Sequence, residues 1–427
     1  MSKQTEKKLV PKLRFPEFQD AGEWANEPLS DVYAFKSTNS FTRDNLNYEY
    51  GLVKNIHYGD IHTKFSTLFN IQKEIVPYVN PSVPIEKIKP ESYCVEGDII
   101  IADASEDLDD IGKSIEIVYL NNEQLLSGLH TILARQKRKK LIVGFGGYLF
   151  KSFRIRTQIK KEAQGAKVLG ISGTRLANIE VAYPLDKTEQ QKITDSLLSI
   201  DELINVHRQK LDSLKAYKKG LLQQLFPAEG ETEPELRFPE FKESGKWVQK
   251  ELWEVGEIVT GKTPSTSDES LWNGDIQFVT PTDIRGDKYQ WKTQRSVVKN
   301  SKIKVIPKNS TMFTCIASIG KMSLSVFPCI TNQQINTLIP NSDYDNEFVY
   351  YSLLSITPLI KSALANTTFP IINKTEFSKF VIPVPPDEQE QKKISDCLSL
   401  IDTLIITQSQ KLEFLTDHKR SLMQQLF

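Results

Sequence analysis

The chain has 427 residues, with 54 Lys+Arg balanced by 54 Asp+Glu, 39% hydrophobic and 25% charged residues. That composition excludes a mostly disordered chain, a collagen and a membrane bundle, and no run of about 18 apolar residues is present to span a bilayer. The opening MSKQTEKKLVPK has no apolar core, so no secretory signal is expected, and the four scattered cysteines form no C-x-x-C pair, which points to a cytoplasmic protein without a zinc ribbon or disulfide framework.

An N-terminal arm, residues 1–24, carries Leu13-Arg14-Phe15-Pro16-Glu17-Phe18, then Gly22 and Trp24. Residues 25–187 read as a mixed α/β insert. Gly97-Asp98 is a turn feeding a buried strand at Ile99–Ala102, and Ile115–Leu120 is another strand. The acidic residues Asp98, Asp103, Glu106, Asp107, Asp109 and Asp110 read as a surface loop rather than a metal site. His57 and His62 are poorly spaced for a shared metal on a helix. Val143-Gly-Phe-Gly-Gly147 reads as a flexible turn. The basic residues Arg135, Lys137, Arg138, Lys139 and Lys140, continued by Lys151, Arg154, Arg156, Lys160, Lys161 and Lys167, read equally as a solvated face or as phosphate contacts.

Residues 188–226 are predicted to form one long helix. On a heptad grid the seam is Ile193, Leu197, Ile200, Ile204, His207, Leu211, Leu214, Lys218, Leu221 and Leu225, a coiled-coil pattern. At 1.5 Å per residue it is roughly 57 Å long. Thr188 with Gln191 reads as a capping box, and Pro227 as the stop. A Pro- and Glu-rich linker leads into a second arm, residues 227–247, in which Leu236-Arg237-Phe238-Pro239-Glu240-Phe241, Gly245 and Trp247 repeat the first arm.

A second insert, residues 248–387, shares little sequence with the first. Strands are expected at Asp275–Thr280, Ser310–Ala317 and Phe380–Val384, with a turn at Asn273-Gly274. Gly256-Glu-Ile-Val-Thr-Gly-Lys262-Thr263 matches the phosphate-loop pattern, but a polar stretch follows where a helix must open, so a glycine turn with an exposed Lys is favoured over nucleotide binding. Residues 388–427 form the second long helix, with Asp387 and Glu390 as capping box. Its seam is Ile394, Leu398, Ile401, Ile405, Gln408, Leu412, Leu415, Lys419, Leu422 and Leu426. Glu189–Phe226 and Glu390–Phe427 are identical at 20 of 38 positions without a gap.

A duplicated frame around two unlike inserts is the signature of a protein that holds two different readers in equivalent mounts. Antiparallel pairing would place His207 against Gln408, Lys218 near Asp396 and Lys419 near Asp195. No Ser/His/Asp, Cys/His or Asn/Asp-Pro-Pro-aromatic set is found. Candidate base readers, chosen by residue type and loop placement, are Lys36, Asn39, Arg43, Asn55, His57 and Tyr58 in the first insert. Lys262, Thr263, Ser265, Thr282, Arg285 and Tyr289 are those of the second.

In this order of parts the chain resembles the specificity subunit of a type I restriction–modification system. The helix starts Glu189-Gln-x-Lys-Ile193 and Glu390-Gln-x-Lys-Ile394 agree, as do the Gln-Gln-Leu-Phe ends. So do Gly97–Ala102, Gly128-Leu-His-Thr131, Gly261-Lys-Thr-Pro-Ser265 and Thr331-Asn-Gln-Gln334. The resemblance implies an α+β architecture. Two mixed α/β target-recognition domains, 25–187 and 248–387, are separated by two long antiparallel coiled-coil helices with pseudo-two-fold symmetry. Each domain would read one half of a split site in double-stranded DNA. The helices would set the gap and dock two methyltransferase subunits, alongside motor-nuclease subunits. It implies no catalysis and no cofactor in this chain: S-adenosylmethionine, ATP and Mg2+ would sit in partner subunits, and no membrane is involved. The competing readings are a scaffold that does not bind DNA and a nucleotide-binding protein using residues 256–263.

Overall fold

A computed structural model describes residues 9–299, 303–365 and 370–427. It forms two compact units, residues 1–206 with 412–427, and residues 207–411. Each unit therefore holds one insert, one end of the first long helix and the opposite end of the second.

In the first unit a five-stranded sheet has the order Tyr33–Lys36, Thr131–Gln136, Ile99–Ala102, Ser114–Tyr119, Leu68–Asn70. Neighbours are antiparallel except the last pair, which is parallel. The sequence Ile99-Ile-Ile-Ala102 is buried throughout because both sheet faces are covered. Ile99 and Ile101 join one core with Leu29, Phe145 and Tyr148, while Ile100 and Ala102 join another with Ile56, Phe69 and Leu125. This is the alternation that a period of two produces. A second sheet pairs Gln124–Ser127 in parallel with Val53–Ile56, followed by Tyr78–Val79 and Leu46–Asn47.

The expected flexible turn at 143–147 is instead the start of a helix, Phe145–Lys151, with Gly146 and Gly147 buried. A Cβ at Gly146 would lie 2.8 Å from the Tyr33 hydroxyl, and Gly147 N–H donates to Glu116 Oε2 at 2.6 Å. The glycines are there for close approach, not for mobility. The acidic cluster is also divided. Asp98 is buried and accepts from Arg135 at 2.9 and 2.6 Å, so it is a core ion pair and not part of a surface loop.

The second unit has the same strand order, written in other residues: Gly256–Thr260, Ile335–Pro340, Thr311–Thr314, Met322–Ser325, Tyr289–Gln290. The outer pair is again parallel and the rest antiparallel. Trp272–Val279 pairs in parallel with Cys329–Thr331 and antiparallel with Arg295–Val297. Asn273-Gly274 is no hairpin turn. It lies inside that strand, at a register shift between Trp272 and Ile276, with Asn273 at φ 61°. One helix of 19 residues, Asn346–Leu364, does the work of two in the first unit, Phe145–Lys151 and Phe153–Glu162, which Ser152 separates.

The long helices run Lys187–Leu225 and Glu388–Leu426. All twenty seam positions are buried or half-buried. The pairing is antiparallel within each unit. Ile193 and Leu197 share a core with Met423 and Leu426 in the first, and Leu221 and Leu225 share one with Ile394 and Leu398 in the second. His207 does meet Gln408, whose Nε2 donates to His207 O at 2.8 Å and lies 2.6 Å from His207 Nδ1. The lysine partners differ from expectation. Lys218 binds Asp402 at 2.6 Å and Lys419 binds Asp201 at 2.5 Å. A helical side chain leans toward its own N-terminus, so in antiparallel pairing a long lysine meets residues further along the partner helix. Each lysine also lies over a tyrosine of its unit, Tyr351 or Tyr148, whose hydroxyl donates to the same aspartate at 2.5 and 2.8 Å.

Neither capping box closes, although Asp387 caps the second helix as expected, and Asp186 rather than Thr188 caps the first. Asp186 accepts from Thr188 N at 2.7 Å, and Asp387 from Gln389 N at 2.8 Å. Gln191 donates to Asp195 at 2.7 Å instead of reaching back to the cap, and Glu390 does not reach back because its arm claims it, as the first arm claims Glu189. Arg14 donates to Glu189 at 2.8 and 2.7 Å and Trp24 Nε1 at 3.2 Å. Arg237 and Trp247 do the same to Glu390, at 2.8, 2.8 and 3.3 Å. This clasp is the physical reason for the repeated Leu-Arg-Phe-Pro-Glu-Phe arms.

Candidate nucleic-acid interface

The strand order brings the same loops together in each unit. In the first, the end of Tyr33–Lys36 pairs with the start of Thr131–Gln136, and the parallel strands Val53–Ile56 and Gln124–Ser127 finish at that point. Thr38 Oγ1 donates to Thr131 O at 3.1 Å, and Gly128 N to Ile56 O at 2.9 Å. In the second, Gly261 N donates to Ile335 O at 3.1 Å and Thr263 Oγ1 to Gln333 Oε1 at 2.6 Å. Three loops thus meet at one end of each unit: 36–43, 55–63 and 127–131 in the first, and 260–268, 280–285 and 331–335 in the second.

In the first unit all six candidates come to this end. Lys36 closes its strand half-buried. Arg43 makes a two-pronged bond to Asp60, at 2.8 and 2.9 Å, and keeps an exposed flank. Burial opposes ionisation of Asp60, but hydrogen bonds from Arg43 and Lys64 outweigh it and hold the carboxyl below its usual range. Asn39 Nδ2 donates to Asn55 Oδ1 at 2.7 Å and to Ser127 O at 3.1 Å. Asn55 and His57 are corrected from readers to supports, because both are buried. Asn55 lies against Gly128, where a Cβ would approach its Nδ2 to 2.5 Å. His57 caps the helix Tyr58–Thr63 by accepting Gly59 N–H at 3.2 Å, and burial, then the charge of Arg43, lowers its pKa and keeps it neutral at pH 7. Tyr58 packs on His57, His62 and His130, with centroids at 4.6, 6.1 and 5.3 Å.

In the second unit five of six candidates converge. Lys262 and Arg285 are exposed, with no carboxylate partner among the described residues. Thr282 Oγ1 is 2.8 Å from Thr280 Oγ1, and Asp283 holds that loop by accepting Thr280 N–H at 2.9 Å. Ser265 is exposed, and its carbonyl accepts Trp272 Nε1 at 3.0 Å. Tyr289 belongs elsewhere. Its hydroxyl donates to Glu347, which Lys288 and Ser399 also engage, so it ties the sheet to helices.

The phosphate-loop reading of 256–263 is overturned. Gly256–Thr260 is a sheet strand, no helix opens at Lys262, and the Gly261 amide is spent on Ile335. A Cβ at Gly261 would sit 2.1 Å from Asn332 O, so the glycine serves strand contact, not phosphate. The basic run is also displaced. Arg135 binds Asp98, Lys140 binds Glu27 at 2.6 Å, and Arg156 donates to Ile111 O at 2.6 Å. The exposed Lys137, Arg138 and Lys139 follow the far end of Thr131–Gln136, away from the loop cluster. Sequence reasoning missed His130, Asp103, Asp60 and Gln333. The first and fourth lie in or beside the Gly128–Thr131 and Thr331–Gln334 motifs, which were noticed as signatures without a role.

A family model described as "Type I restriction modification DNA specificity domain" matches residues 22–216 and 244–416. The chain is 32% identical over 190 residues to the Type I restriction enzyme MjaIX specificity subunit of Methanocaldococcus jannaschii, covering 41% of this chain and 44% of that one. It is 27% identical over 353 residues to the Putative type I restriction enzyme MjaX specificity subunit of the same organism, covering 79% and 80%. The solved S subunit of a type I restriction-modification system from M. genitalium has a TM-score of 0.62 at 15% identity, over 98% of this chain and 99% of that one. At that identity the likeness is one of fold.

Proposed function

Because the chain belongs to the family of type I restriction modification DNA specificity domains, we propose that it is the DNA-recognition subunit of a type I restriction–modification complex. Each unit reads one half of a split site in double-stranded DNA through its three-loop end. The long helices fix the gap between the halves and dock two methyltransferase subunits, and motor-nuclease subunits join that assembly. The chain itself is not catalytic. S-adenosylmethionine, ATP and Mg2+ act in the partner subunits.

One observation carries this reading: two inserts of unlike sequence share one strand order and bring their exposed polar residues to the same end. A shared scaffold with divergent loops is how recognition varies while a mount stays fixed. Good base contacts contribute about 1–3 kcal/mol of discrimination each, so a few per loop cluster suffice. The test replaces residues 25–187 with the first insert of another family member, in complex with the methyltransferase, and maps methylated sites. Change in one half of the site alone is the expected result. Change in both halves, or in neither, contradicts the reading.

A further inference from the structure

Six non-glycine residues among those described have left-handed backbones: Asn121, Asn122, Asn273, Asn309, His130 and Ala317. Asparagine tolerates this conformation. The two exceptions fall one in each unit, His130 within the 127–131 loop and Ala317 in the segment that follows Thr311–Thr314. Asp103 N donates to His130 O at 3.1 Å, and Cys315 N, two residues before Ala317, donates to Gln334 O at 2.8 Å. Backbone strain of this kind costs stability and concentrates at functional sites.

His130 has φ 55°, and its turn is pinned on every side. Thr131 Oγ1 donates to Gly128 O at 2.5 Å and lies 2.7 Å from Ser127 Oγ. The pinned turn delivers the imidazole outward, 52% exposed, with Tyr58 set edge to face against it. Glycine would take this backbone without strain, and the core gains little from a ring this exposed. What the residue supplies is the ring itself. The Asp103 carboxylate, with Oδ1 3.3 Å from His130 Nδ1, favours the tautomer with its proton on Nδ1. On the neutral ring Nε2 is then an acceptor, with no hydrogen-bond partner among the described residues.

We infer that His130 is a specificity-determining residue of the first unit, whose Nε2 accepts a hydrogen bond from the exocyclic amine of an adenine or a cytosine in the major groove. These are the two bases that present a donor there. The inference rests on the DNA-recognition reading above. It is tested by selection from a randomised duplex library, with the full chain in complex with its methyltransferase. His130→Ala, His130→Gly and His130→Asn are compared with wild type, and thermal midpoints are recorded.

The expected result is a loss of about tenfold in preference at one adenine- or cytosine-containing position of one half-site in the Ala and Gly variants, with the other half unchanged. The Gly variant should melt no lower than wild type, because its backbone strain is relieved. His130→Asn, which suits the left-handed turn, keeps the protein folded should the Ala variant fail, and it too should shift preference at that position. A wild-type complex that selects a split site while His130→Gly and His130→Asn select the same site equally well overturns the inference alone. A wild-type complex that selects no sequence overturns the recognition reading and the inference with it.

Discussion

The two units differ most where their architecture agrees. Both carry a five-stranded sheet of one order, a clasp from Arg and Trp to a glutamate, and a Lys–Asp–Tyr contact between insert and long helices. Yet the first spends a histidine- and asparagine-rich cluster at its loop end, and the second a Lys262-Thr-Pro-Ser loop with Gln333 beside it. Contacts that hold the mount are duplicated residue for residue, and contacts that face outward are not. Sequence identity therefore tracks mechanical role, and its absence tracks recognition.

The clasp is the sharpest place to break that comparison. Arg14–Glu189 and Arg237–Glu390 are nearly buried pairs, and removing one partner of such a pair costs about 3–5 kcal/mol because a charge is left uncompensated. Glu189→Ala and Glu390→Ala should destabilise their own units by similar amounts in denaturant unfolding. A large loss in one and none in the other would show that the repeats are not mechanically equivalent.

A difference between the units should appear in pH dependence. Burial pushes the Glu116 carboxyl up to about 8, against the pull of the Gly147 and Gly144 N–H groups. A folded pKa above the unfolded one means that the stabilising proton is fully held below the unfolded value and lost through the folded one. The first unit should therefore lose stability between about pH 4.5 and 8, by at most about 5 kcal/mol. Glu116→Gln should flatten that slope, and an unchanged slope in unfolding midpoints would refute the assignment.

Smaller effects sharpen the picture. Tyr148→Phe and Tyr351→Phe each remove one hydrogen bond to a helix aspartate, and each should cost about 1.5–3 kcal/mol, as for bonds to charged groups. Matching losses in thermal unfolding would support equivalent mounts. Lys262→Ala, at an exposed cation, should leave stability unchanged. In salt-titrated binding to duplex DNA it should reduce the log–log slope by about one, the signature of a single phosphate contact. A slope equal to that of wild type would remove Lys262 from the interface.

The frame was legible because periodicity and repetition survive in one dimension. Ile193, Leu197 and their counterparts declare a seam whatever surrounds them. The inserts were not legible as topology, since Trp272–Val279 and Val53–Ile56 pair in parallel with strands distant in sequence, and nothing local specifies such partners. Residue type alone found the loop end but mistook support for surface. Asn55 and His57 have the chemistry of readers, and only burial shows them to be props. Gly261 and Gly128 looked like motif glycines, and their reason is a carbonyl or amide about 2 to 2.5 Å from where a Cβ would stand.

The most direct test of the central claim exchanges the inserts within the chain, placing residues 248–387 in the mount of 25–187 and the reverse. Methylated sites are then mapped in cells that supply the methyltransferase. If each insert is a self-contained reader in an equivalent mount, the exchanged chain still selects sites built from the same two half-sequences across the same gap. A new half-sequence, or an altered gap, would contradict it.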